Sequence, residues 1–179
     1  MLVASFDRVW FLTWTTYGTW LPGDDRGFVS PKFEKTQPEE RHNIRGTAID
    51  AGRPALRKLA HAKLKGPPVL LTAEQANCVA HQFRVTAEHR NWTLVCLAVM
   101  SNHAHLLVGV QNDPDPGHLM RDFKAYGSRA LNECFERPQG GTWWTEQGSK
   151  RLVREQRHFD AVRRYIRNQH GALVVWEME

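Results

Sequence analysis

Apolar and polar positions alternate in distinct ways along this chain. Arg8–Tyr17, RVWFLTWTTY, is dense in aromatic and β-branched residues and predicts a strand. Turn-forming residues in Leu21–Gly27, LPGDDRG, interrupt it. From there to Pro68 the chain is polar, with no sustained period. The segment at about 22–68 reads as a long insertion, with a short helix around Pro54–Leu64. Insertions of this length are often functional.

Regular patterning resumes at Thr72. Thr72 and Gln75 form a capping box, and Ala76, Val79, Ala80, Phe83 and Ala87 keep helical spacing, so Thr72–Arg90 is predicted as a helix. Trp92–Met100 is an almost continuous apolar strand. After the Ser101–Asn102 turn, His103–Val110 forms a second strand and so a hairpin. Leu119–Phe135 reads as a helix with Leu119, Phe123, Ala130, Leu131 and Cys134 inward. Thr142–Val153 reads as another strand. Phe159–Gln169 is a short helix with Phe159, Val162 and Ile166 on one stripe, ended by His170–Gly171. Gly171–Glu179 is assigned no element. The order gives an α+β class, a two-layer α/β sandwich. Its core is a ferredoxin-like β-α-β-β-α-β antiparallel sheet with an added C-terminal helix.

Composition narrows the function. No apolar run approaches the ~18 residues of a membrane span, and no secretory signal is evident. Cys78, Cys96 and Cys134 are odd in number and form no CxxC pair, so neither a disulfide framework nor a structural zinc site is expected. A cytoplasmic location is the default expectation. The net charge is +5 and the pI about 9.4, which favours polyanionic partners. Between Gly117 and His170 there are eleven Lys/Arg against six Asp/Glu, so the positive field lies partly in the C-terminal third. Solvated helix faces would give the same count.

The candidate chemistry begins in Ser101–Val110, SNHAHLLVGV. On a strand, His103 and His105 point to one face, followed there by Leu107. Imidazoles at that spacing are able to grip one divalent cation, although histidines that merely hydrogen-bond nearby look the same in a sequence. A third ligand is offered by YIRNQ, Tyr165 to Gln169, where Tyr165 and Gln169 are i and i+4. Gln169 would supply a neutral oxygen and Tyr165 a phenol. A tyrosine hydroxyl, with a pKa of about 10, is a weak nucleophile and needs an electrophile polarised by a cation. A phosphodiester on the metal meets that need, and attack would give a phosphotyrosine. Lys150, Arg151, Arg163, Arg164 and Arg167 lie in or near these segments and are candidates for the nucleic-acid backbone. Tyr126, on a basic helix, is a rival, but its i+4 neighbour is Ala130, which binds no metal. Tyr17 lacks a ligand set. His118 and His170 are weaker ligand candidates, and His42, His61, His81, His89 and His158 read as surface or helix residues.

MSNHAHLLV resembles the His-hydrophobic-His motif of HUH single-tyrosine transposases, especially the REP-associated group, with Ser101 where a proline is common. YIRNQ resembles that family's nucleophile helix, and WFLTWTTYGTWLPGD is similar to members of the same broad group. The resemblance spans about Arg8–Gln169, much of the insertion aside. It implies Tyr165 as nucleophile and His103, His105 and Gln169 as ligands of Mg²⁺ or Mn²⁺. It further implies cutting of single-stranded DNA beside hairpins through a 5′-phosphotyrosine, and a homodimer, as is common in the family, with the tyrosine helix facing histidines in cis or in trans. Two other readings stay open. One is a non-catalytic protein that binds hairpin DNA or RNA; the other is a metal-dependent hydrolase that uses water.

Overall fold

A computed structural model describes residues 5–25 and 52–179. Most of the segment read as an insertion, and His42 within it, lies outside the described residues. The elements run β1 (Arg8–Thr15), α1 (Pro54–Ala62), α2 (Ala73–His89), β2 (Thr93–Val99), β3 (His103–Val110), α3 (Pro116–Cys134), β4 (Ser149–Leu152), α4 (Gln156–Arg167) and β5 (Val174–Glu177). The sheet order is β4-β1-β3-β2-β5, with every neighbouring pair antiparallel. The first four strands of that order form the expected ferredoxin-like core.

Local chemistry sets the helix starts. Thr72 and Gln75 exchange the two hydrogen bonds of a capping box at α2. Asp115 caps α3, with Pro116 in its first turn, where a missing N–H is harmless. α2 and α3 pack on one face of the sheet, around Leu12, Trp14, Leu97, Leu106 and Val108. α4 packs on the other face, where Phe159, Val162 and Ile166 join Val9, Cys96, Ala98 and Leu107. A register shift between Leu94 and Cys96 makes Val95 and Cys96 share that second face, so β2 serves both layers. Among the described residues no helix is long and apolar enough to cross a membrane.

Several expectations are corrected. The buried stripe of α3 is Leu119, Met120, Phe123, Gly127 and Leu131, while Cys134 is exposed and Ala130 half-buried. The axis of contact passes through Gly127, where a Cβ would stand 2.9 Å from Val79 Cγ2 and 3.0 Å from Phe83 Cε1. Cys134 lies at the open edge of that contact, beside Cys78 of α2. The strand expected over Thr142–Val153 contracts to Ser149–Leu152, preceded by an isolated bridge from Trp144 to Thr16. The cause is Lys124, whose Nζ donates to the carbonyls of Thr145, Glu146 and Gln147 at 2.8, 3.1 and 2.9 Å. Three consecutive carbonyls converging on one ammonium do not alternate sides as those of a strand do, so this stretch is not extended strand. Finally, Gly171–Glu179 contains β5, which hydrogen-bonds to β2 and carries the Arg163–Glu177 ion pair.

Candidate active site

The β1–β3 register sets Thr13 opposite His105 and Thr15 opposite His103. The period of β3 turns both imidazoles toward the face that α4 covers, in line with Leu107. Their ring centroids are 4.7 Å apart, with the planes at 79°. α4 docks through Phe159, Val162 and Ile166, and this seats Tyr165 against the histidines. The Tyr165 and His105 centroids are 5.4 Å apart, at 69°. Phe11, next on the same face of β1, touches both rings, at 5.5 Å from His105 and 6.1 Å from Tyr165.

The polar atoms are also ordered. Asn102 Oδ1 accepts from His103 Nδ1 at 2.6 Å. Thr13 Oγ1 lies 2.8 Å from His105 Nδ1. His105 is 5 % exposed, and its Nε2 is buried with no hydrogen-bond partner. Burial first, and then the neighbouring His103, push its pKa down to about 4. At neutral pH the ring is therefore uncharged and keeps one nitrogen lone pair. Tyr165, by contrast, is 52 % exposed. It lines a shallow hollow with Ala161, Arg164, Asn168, Gln169 and His170. A buried, neutral imidazole thus stands beside an accessible phenol.

This donor set fits a divalent cation: a neutral imidazole with an unpartnered nitrogen, next to a second imidazole oriented from behind. Among the described residues there is no cluster of three or more His, Cys, Asp or Glu side chains. Among the described residues, a third protein ligand would be a neutral oxygen, such as that of Gln169. α4 ends at Arg167 with Asn168 as its C-cap, so Gln169 lies just beyond the helix. Its Nε2 donates to the Tyr165 carbonyl at 3.1 Å. The structure brings Tyr165 to the histidines and Gln169 to Tyr165; the Gln169 side chain bonds to its own helix and not to an imidazole.

The profile of a family described as Transposase IS200 like matches residues 68–169, a span that includes the histidine pair and ends at Gln169. The chain belongs to the IS200-like transposase family. Its fold is similar to that of a REP-associated tyrosine transposase bound to a REP hairpin, with TM-score 0.50 and 12 % identity, over 90 % of this chain and 65 % of that one. This chain thus spans less than two thirds of that relative's length. A candidate transposase from Deinococcus radiodurans R1 is also similar, with TM-score 0.48 and 21 % identity, over 92 % of each chain. A sequence search of curated proteins returns no match.

The rival tyrosines are placed elsewhere. Tyr126 lies on α3, across the sheet from the histidines, with Arg90 and Arg129 over its ring at 5.7 and 5.1 Å. Tyr17 Oη accepts from the Lys65 N–H at 2.8 Å. His118 is exposed in the first turn of α3, and His170 is exposed on the rim of the Tyr165 hollow. His61, His81, His89 and His158 lie on helices, as expected.

The five basic candidates divide. Arg164 and Arg167 are exposed on α4. On the edge strand β4, Arg151 pairs with Phe11 and Lys150 with Leu12. Arg151 therefore faces the layer of His105 and Tyr165, and Lys150 faces the α3 layer, near Lys124. Arg163 is half-buried and paired with Glu177. Sequence reasoning missed three residues of the candidate site, namely Phe11, Thr13 and Asn102. The alternation in RVWFLTWT already puts Phe11 and Thr13 on one face, but only the strand register shows which residues they meet.

Proposed function

We propose that this transposase cuts and rejoins single-stranded DNA beside hairpins, with Tyr165 as nucleophile. The Tyr165 hydroxyl oxygen attacks the scissile phosphorus. An Oη–P bond forms, the P–O3′ bond breaks, and the phenolic proton is balanced by the proton gained at the 3′ oxygen. The products are a 5′-phosphotyrosine and a free 3′-OH, and the phosphodiester energy is kept for rejoining. Mg²⁺ or Mn²⁺, held by His103 and His105 with Gln169 as the third ligand, would polarise the phosphate. Arg151, Arg164 and Arg167 share the tyrosine's side of the molecule and would hold the backbone of the strand.

The observation that carries this reading is the seating of an exposed Tyr165 edge-on to a buried, neutral His105 with an unpartnered Nε2. The fold shared with a hairpin-bound transposase supports hairpin DNA as the partner. One chain supplies the tyrosine and both histidines, which supports assembly of the site in cis, whether or not the protein dimerises.

The test is incubation of the protein with Mn²⁺ and end-labelled hairpin DNA carrying single-stranded flanks, followed by a denaturing gel. A covalent adduct is expected from wild type and from Tyr126→Phe, and none from Tyr165→Phe. Hairpin binding with no adduct on any substrate would favour a binding protein. Cleavage without an adduct, indifferent to Tyr165→Phe, would favour a hydrolase.

A further inference from the structure

We propose that Thr13 is a positioning residue that fixes the ring of His105 so that Nε2 is its metal-ligating atom; this rests on the metal reading of the site. Thr13 and His105 are register partners across β1 and β3, so the backbone ladder itself sets the hydroxyl beside the ring. Oγ1 is 2.8 Å from Nδ1. Phe11 and Tyr165 flank the same ring with carbon edges and faces. Among the described residues, Thr13 Oγ1 is the hydrogen-bond partner of the His105 ring, with the His103 imidazole beside it.

A hydroxyl either donates or accepts, so two tautomers satisfy the 2.8 Å contact. If the hydroxyl donates to Nδ1, the proton sits on Nε2. That N–H is then a buried donor without a partner, and the nitrogen has no lone pair for a cation. If Nδ1–H donates to Oγ1, Nε2 carries the lone pair on the buried, unpartnered side. A cation selects the second arrangement, and Thr13 holds the ring ready for it. His103 is held in the same sense. The Asn102 carboxamide oxygen only accepts, so His103 Nδ1 bears the proton. The two supports come from different places, one from the neighbouring strand and one from the hairpin turn. Thr13 is visible only once the register is known.

The experiment compares wild type, Thr13→Val, Thr13→Ser and His105→Ala without DNA. Mn²⁺ affinity is measured by calorimetry, and the ring tautomers are read by ¹⁵N NMR on the metal-free proteins. Thr13→Val keeps the β-branched shape suited to a strand and removes the hydroxyl, while Thr13→Ser restores it. The expected result is Mn²⁺ binding weakened by about 10- to 100-fold in Thr13→Val, near-wild-type binding in Thr13→Ser, and loss of the single Nδ1–H tautomer of His105 in Thr13→Val alone. If wild type binds Mn²⁺, His105→Ala loses it and Thr13→Val does not, the positioning role is overturned and the metal reading stands. If wild type and His105→Ala bind Mn²⁺ equally poorly, the metal reading falls and the proposal falls with it. Should Thr13→Val fail to fold, Thr13→Ala and Thr13→Ser carry the comparison, and equal affinity between those two overturns the role.

Discussion

The ring of Tyr165 stands edge-on to the imidazole of His105 within one chain, at 5.4 Å between centroids. Docking of α4 through Phe159, Val162 and Ile166 fixes this relationship. A tyrosine seated on its own chain's histidines makes a direct prediction about subunit cooperation. Tyr165→Phe mixed with a His103→Ala, His105→Ala double variant should form no DNA adduct, because neither chain holds a whole site. Adduct formation in that mixture, scored on a denaturing gel, would show that the tyrosine acts on the partner's histidines.

Phe11 supports both rings, at 5.5 Å from His105 and 6.1 Å from Tyr165. It carries no reacting atom, so its effect should run through placement alone. An aromatic contact of this kind is worth about 0.5–1.5 kcal/mol beyond its area. If about 1 kcal/mol of that holds Tyr165 in place, Phe11→Ala should slow adduct formation by about fivefold. Hairpin affinity, measured by fluorescence anisotropy, should stay near wild type. A matching loss in affinity would make Phe11 a DNA contact instead.

The architecture was legible where neighbours in sequence decide the structure. The Thr72–Gln75 capping box and the β2–β3 hairpin stand as expected, because local hydrogen bonds and periodicity specify them. The reading weakened where distant residues decide. β5 is four residues long and gains its order from hydrogen bonds to β2, far away in sequence. The strand expected from Thr142 shrinks because three consecutive carbonyls converge on Lys124, some twenty residues earlier, instead of alternating sides. The candidate site followed the same division. His103 and His105 could be paired by strand period alone, whereas Thr13 and Phe11 needed the β1–β3 register. The charges of Lys150 and Arg163 were visible, but not that one faces the α3 layer and the other is bound to Glu177.

That division of the basic residues has a measurable consequence. A cation on a phosphate contributes to the salt dependence of binding, at a log–log slope of about 0.7 per contact for single strands. Substituting Arg151, Arg164 or Arg167 with Gln should each lower the slope by about that amount. Lys150→Gln and Arg163→Gln should leave it near wild type, since one side chain faces the α3 layer and the other is neutralised. Arg163→Gln should instead lower the thermal midpoint, because it releases Glu177 on β5. Salt titrations of hairpin binding, run beside thermal melts, separate the two kinds of effect.

Lys124 offers a pH test of the loop that leads into β4. Burial first, and then the nearby Lys150 ammonium, lower its pKa from 10.5 to about 8, against the opposing pull of Glu146. Below about pH 8 the group is charged in the folded and unfolded chains alike, and the folded chain bears the cost of a half-buried ammonium. Between about pH 8 and 10.5 the folded chain has released the proton and the unfolded chain still binds it. Stability therefore rises with pH across that window by this group's contribution. The cost is present below the folded pKa and fades above it, the reverse of a lysine stabilised by an ion pair. Other groups titrate in the same range, so the quantity to follow is the difference between wild type and Lys124→Met. That difference should shift in favour of wild type as melts move from pH 7 to pH 10. A shift the other way would mean that the three carbonyls of Thr145, Glu146 and Gln147 hold the ammonium more strongly than burial opposes it.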